Sequence, residues 1–172
     1  MVLLNGIESR ADEERSKFKE EDIPVRDSEK ARKMIGALAD SGYLPAMVEL
    51  AAILIADPRN VKKADAEKAF NLVFDAVESP DAPSRAWRIL GDCYFYGLGT
   101  ASDGKKMIEA LEKAASMGNM EALFRIGYCY EFGVNVDIDS QRALECYERA
   151  AKAGLVGADA AIQRVVLSQK YF

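Results

Sequence analysis

Two stretches of this chain, AWRILGDCYFYG (86–97) and ALFRIGYCYEFG (122–133), stand 36 residues apart and carry glycine, cysteine and tyrosine at the same places. The lag holds across the whole unit. Ala86 matches Ala122 and Ala158, Gly91 matches Gly127, Tyr94 matches Tyr130 and Gly97 matches Gly133; further on, Asp103 matches Asp139, Glu109 matches Glu145, Ala114-Ala115 match Ala150-Ala151 and Gly118 matches Gly154. With small gaps the pattern extends upstream, because Lys68-Ala69 lies 38 residues before Lys106-Met107 and Lys30-Ala31 lies 38 before that. A period of 20–50 residues marks a solenoid, in which each unit buries its apolar face only by stacking on its neighbours.

The units read as helices. EKARKMIGALADSG has apolar residues at Ala31, Met34, Ile35 and Leu38, with Asp27-Ser28 as the expected N-cap and Gly42 as the stop. A helix from Ala46 ends at Asp57-Pro58, and another is expected from about Asp65 to Glu78. Helices over 86–97, 103–117, 122–133, 139–153 and 158–171 follow, separated by turn-rich loops. No segment sustains period-two alternation, so the fold class is all-α, expected as a right-handed α/α superhelix of antiparallel helix hairpins. The divisions are a charged segment over 1–27, in which a degenerate first helix would fall, and a solenoid over 28–172. That solenoid comprises a degenerate copy (46–85), two clear copies (86–121 and 122–157) and a capping helix (158–172).

Within a copy, residue types follow from packing. A glycine inside a helix costs up to about 1 kcal/mol in propensity, so Gly91 and Gly127 are expected to make room for a neighbouring side chain. Tyr94 and Tyr130 are expected to fill the space between the two helices of a hairpin. Gly97 and Gly133 suit left-handed C-caps, and Asp103 and Asp139 suit the following N-caps.

LGDCYFYGLG with Asp103 and EALEKAASMGNMEA, then RIGYCYEFGVNV with Asp139 and RALECYERAAKAG, resemble the Sel-1-like repeat, a relative of the tetratricopeptide repeat. The resemblance covers about four-fifths of the chain, with 46–82 lacking the glycines and the tyrosine. It implies a protein–protein adaptor or scaffold rather than an enzyme. It also implies that the first helix of each pair lines a concave groove, with the third, seventh, tenth and eleventh residues from the repeat alanine pointing inward. In this chain those are Arg88, Asp92, Phe95 and Tyr96, then Phe124, Tyr128, Glu131 and Phe132. The degenerate copy contributes Val48, Ala52 and Ile55, and the last helix Arg164 and Leu167. Aromatic and arginine anchors dominate binding hot spots, so a protein or peptide partner is expected there.

Composition removes other classes. A net charge of −5 argues against nucleic acid, whose phosphates require a basic face. The longest apolar run, 50–56, is too short for membrane insertion, and no targeting signal precedes it. Three cysteines, an odd number without a dense framework, fit a reducing, cytoplasmic location. Cys93, Cys129 and Cys146 are expected as free thiols, unlike the cysteine-rich secreted members of the resembled family, whose cysteines pair within each repeat. The chain has no histidine, the commonest general base and metal ligand.

Local motifs fail their own tests. Asn135, Asp137 and Asp139 have the spacing of a calcium loop, but Ser140 and Cys146 occupy the positions that need glycine and glutamate. GLGTASDGKK lacks the glycine spacing and the preceding strand of a phosphate loop. Glu109 and Glu145 recur on solvated faces. No cofactor and no metal is expected, and no catalytic set. Function is therefore expected to be non-enzymatic binding in the groove, with an inhibitor or immunity-type protein that blocks a partner enzyme as the alternative.

Overall fold

The computed structural model describes residues 25–171. Eight helices follow one another: α1 (Val25–Asp40), α2 (Leu44–Leu54), α3 (Lys63–Val77), α4 (Ser84–Tyr96), α5 (Gly104–Ser116), α6 (Met120–Phe132), α7 (Ser140–Lys152) and α8 (Ala158–Tyr171). No strand occurs among the described residues. Each helix packs on the one before and the one after, and the densest packing joins α4 to α5 and α6 to α7. The chain is an all-α solenoid of antiparallel hairpins, and its main core runs continuously from Val48 in α2 to Ala158 in α8.

Close approach of the two helices of a hairpin is built around the mid-helix glycines. A Cβ on Gly91 would fall 2.7 Å from Leu111 Cδ2, and one on Gly127 would fall 2.8 Å from Tyr147 Cε1. Leu111 and Tyr147 are fully buried. The second helix therefore inserts a side chain into the first, which reverses the expected direction of filling. Tyr94 turns instead to the preceding hairpin, buried edge-on against Phe70 of α3 at 5.8 Å between ring centroids. Tyr130 is half-buried, and its hydroxyl accepts from Arg142 Nη1 at 3.0 Å.

The helix ends follow the expected chemistry with three differences. Gly97 (φ 69°) and Gly133 (φ 66°) are left-handed C-caps, a conformation that a Cβ disfavours. Asp103 accepts from the Lys106 N–H and Asp139 from the Arg142 N–H, each at 3.0 Å. Asn119 caps α6 in the same manner, accepting from the Ala122 N–H at 3.0 Å, so α6 starts at Met120 and not at the repeat alanine, Ala122, where the sequence predicts it. α2 begins at Leu44, not Ala46, with Pro45 in its first turn, where its missing N–H costs nothing. α1 already includes Asp27 and Ser28, so the helix does not start after them as the sequence predicts.

The two end helices differ from their counterparts. Leu38 of α1 is 48% exposed, whereas Ala76, Ala114 and Ala150 at the same register of α3, α5 and α7 are buried. Of the segment 1–27, in which a degenerate first helix is expected, residues 1–24 lie outside the described residues. In α8, Gln163 stands at the register of Gly91 and Gly127, and the helix seats Ala161 and Val165 beside Ala143 and Tyr147 of α7.

If the glycine seats set helix spacing, Gly91→Ala will lose stability even though alanine gains up to about 1 kcal/mol in helix propensity. In a Leu111→Ala background the same change will become neutral or stabilising. Urea unfolding of the four proteins of this cycle measures the difference, and an equal effect in both backgrounds would refute the seat.

Candidate functional site

The first helices of successive hairpins, α2, α4, α6 and α8, meet through charged side chains. Arg85 Nη1 of α4 lies 2.6 Å from Glu49 Oε2 of α2. Asp92 Oδ1 of α4 lies 3.0 Å from Arg125 Nε of α6, and Asp92 Oδ2 accepts from Arg88 Nη1 at 2.8 Å. Arg88 also faces Glu121 of α6 at 3.6 Å. One step on, Arg164 of α8 donates through Nε and Nη2 to the two oxygens of Glu131 in α6, at 2.5 and 2.7 Å. The pairs Arg88–Glu121, Asp92–Arg125 and Glu131–Arg164 share a sequence separation of 33. Subtracted from the 36-residue repeat, this means that a side chain meets the next helix one turn earlier than its own register, the stagger of two helices packed side by side.

These pairs change the standing of two residues that the sequence reading placed in the groove. Asp92 is only 7% exposed. Burial pushes its carboxyl above the ordinary range, while Arg125 and Arg88 pull it back. Glu131 is engaged at both oxygens, since Tyr147 Oη donates to Oε2 at 2.7 Å. Burial raises its carboxyl, but the hydrogen bonds from Arg164 and Tyr147 outweigh this and hold it below its ordinary value. Both carboxylates tie repeats together and are not presented to solvent. Arg88 is likewise engaged at both of its partners.

Three aromatic side chains on this face are accessible. Tyr96, Tyr128 and Phe132 are 43%, 41% and 48% exposed. Phe95 and Phe124 are half-buried, Phe95 against Tyr96 at 4.6 Å and Phe124 against Tyr147 at 5.0 Å. Tyr128 and Phe132, one turn apart on α6, pack as tilted rings with centroids 4.7 Å apart. Phe95, Tyr96, Phe124 and Tyr128 line one open groove of about 530 Å³ together with Arg59, Glu121, Arg125, Leu155 and Val156. Arg125 lies over the Phe95 ring at 5.9 Å, and Arg164 over Phe132 at 5.4 Å. A second depression of about 580 Å³ shares Glu121 and Leu155 with the first and reaches Arg85 and Arg88.

The structure thus brings Phe95, Tyr96, Phe124 and Tyr128 together and leaves Phe132 beside them, on the same face of α6. It does not bring in Val48 and Ile55, which are buried in the core, because α2 is apolar on nearly every side. Leu167 is exposed on α8 outside the groove lining, and Ala52 is half-buried. Sequence reasoning missed Arg59, Leu155 and Val156, which lie in connections between helices. It also missed Arg125, whose signal was an arginine 33 residues after Asp92.

The other candidates are structural. Cys93, Cys129 and Cys146 are free. Burial pushes the Cys93 thiol up to about 12 and the Cys129 and Cys146 thiols to about 11, so none is a ready nucleophile. Asn135 donates to the Phe95 carbonyl at 3.0 Å and Asp139 caps α7, and no group of three or more potential ligands for a metal ion occurs among the described residues. No described helix is long and apolar enough to cross a membrane.

Because the folded-state pKa of Glu131 is depressed, its stabilising contribution is fully present above its ordinary value of 4.5 and is lost as pH falls through the folded value. Glu131→Gln is expected to cost roughly 1.5–3 kcal/mol at neutral pH, the range of a hydrogen bond to a charged group. Chemical denaturation as a function of pH should show the gap between the two proteins constant above about pH 5.5 and shrinking below about pH 4.5.

A family model for the Sel1 repeat matches residues 88–119 and 121–155. Among solved structures, c5321, a protective antigen of uropathogenic Escherichia coli strains with an SLR fold, superposes with a TM-score of 0.71 at 21% identity, covering 81% of this chain and 29% of that one. A Sel1 repeat protein of Oxalobacter formigenes gives 0.58 at 24% identity over 71% of this chain and 90% of its own length. Helicobacter pylori cysteine rich protein B gives 0.55 at 21% identity over 75% and 95%. The chain therefore spans less than a third of the length of the E. coli antigen. No curated protein sequence matches. Residues 88–119 and 121–155 are thus two Sel1 repeats with seated glycines at their shared register, set in a helical architecture that the chain shares with these neighbours.

Proposed function

We propose that this protein is a non-enzymatic binding module that holds a protein or peptide segment in the groove formed by α4, α6 and the connection before α8. The observation that carries this reading is the division of labour on that face. The charged side chains of α4 and α6 are engaged in ion pairs, most of them across repeats, while Tyr96, Tyr128 and Phe132 stay exposed with no covering element among the described residues. An exposed cluster of large apolar side chains beside a groove is a feature that association with a partner relieves. Tyrosine and phenylalanine bring large contact area with few rotatable bonds, which favours them as anchors.

Sel1 repeats generally mediate protein–protein interactions, which agrees with this reading. The three unpaired cysteines support a reducing, cytoplasmic setting.

The experiment is affinity capture from native lysate with mass spectrometry, comparing the wild type with Tyr96→Ser/Tyr128→Ser. Both tyrosines are exposed, so helicity and unfolding midpoint should hardly change. Loss of two anchors is expected to weaken the captured complex by roughly 30-fold or more, the scale of a hot-spot contact of about 2 kcal/mol. Equal recovery of every captured protein by both forms would overturn the reading.

A further inference from the structure

The groove-facing surface carries five arginines, and they are not equivalent. Arg85 is neutralised by Glu49, Arg88 by Asp92 and Glu121, Arg125 by Asp92, and Arg164 by Glu131. Arg59, in the connection between α2 and α3, lines the same groove as Phe95, Tyr96 and Tyr128 but has no ion-pair or ring partner among the described residues. Its neighbour Asp57 does not serve as one. One oxygen of Asp57 accepts the Arg59 backbone N–H at 3.3 Å, and the other accepts from Asn60 Nδ2 at 2.7 Å, so the carboxylate closes its own turn.

Arg59 is therefore an arginine of the groove lining whose guanidinium no carboxylate engages among the described residues, and it stands with Tyr96 and Tyr128 in that lining. At physiological salt, charges are screened beyond about 8 Å, so a bound segment responds to Arg59, Arg125 and Glu121 in the lining more than to the acidic remainder of the molecule. A guanidinium presents a planar fork of donors that matches a carboxylate in two parallel hydrogen bonds.

We propose that the groove selects an acidic-apolar peptide segment, in which an Asp or Glu carboxylate meets Arg59 while an adjacent aromatic or aliphatic side chain enters the groove beside Tyr96 and Tyr128. This rests on the groove reading given above and specifies the chemistry of its occupant. Arg59 is exposed and its side chain forms no hydrogen bond, ion pair or ring contact among the described residues, so replacing it changes recognition without removing such a bond.

The test is selection from a displayed random-peptide library against the wild type and Arg59→Glu in parallel. The wild type should enrich Asp or Glu within a few residues of an aromatic or aliphatic residue, and Arg59→Glu should replace that acid with Lys or Arg. The best wild-type peptide, resynthesised with Asn or Gln in place of its acid, should bind the wild type about tenfold more weakly, the scale of one charge-assisted pair. The acid and amide forms should bind Arg59→Gln equally. Enriched peptides that lose binding to Tyr96→Ser/Tyr128→Ser but show no charge preference and no response at Arg59 would overturn this proposal and leave the groove standing. Enriched peptides indifferent to both the tyrosines and Arg59, or no enrichment, would overturn both.

Discussion

The architecture depends on two places where a helix has no side chain. At Gly91 and Gly127 the second helix of the hairpin presses Leu111 or Tyr147 into the volume that a Cβ would fill. That contact fixes which side of each first helix faces its hairpin partner, and so which side is left for neighbouring repeats and for solvent. The cost in helix propensity is offset by a dense interface, in which even a residue as large as Tyr147 is completely buried. The left-handed caps at Gly97 and Gly133 then return the chain, and Asp103 and Asp139 restart it.

A second constraint acts at right angles to the first. Hairpins stacked on alanine and leucine could slide by a helical turn with little change in buried area. Ion pairs that cross from one first helix to the next specify a single stagger, as Asp92 with Arg125 and Glu131 with Arg164 do. Buried ion pairs contribute little net stability once desolvation is counted, yet removing one partner is expensive, which suits a role in register. This arrangement also shapes the surface: the Asp92 and Glu131 carboxylates are engaged in holding the register, while Tyr96, Tyr128 and Phe132 stay exposed.

Much of this was legible in the sequence because the repeat exposes it. Glycine at a fixed lag inside a helix announces a close approach, and Asp103 and Asp139 announce helix starts. Expectation and structure differ where a residue's surroundings come from another repeat. Counting positions within one helix places Asp92 and Glu131 in the groove, because helical periodicity reports direction and not what stands opposite. Their partners appear only when opposite charges are sought at a lag of 33, which requires knowing how the first helices are staggered. Arg59, Leu155 and Val156 were invisible for a related reason, since connections have no periodicity from which to infer a facing surface. The exchange of roles between Tyr130 and Tyr147 was hidden because either tyrosine could have filled the hairpin.

The most direct test of the account is a charge swap at the pair joining α6 to α8. Urea unfolding should be compared for the wild type, Glu131→Arg, Arg164→Glu and the double variant carrying both. If cross-repeat ion pairs set the stagger, each single reversal will be strongly destabilised and the double swap will recover at least half of the larger loss, with an unfolding slope near that of the wild type. A double variant no more stable than the worse single reversal would contradict the account, because the two side chains would then contribute independently and the register would be held by something else.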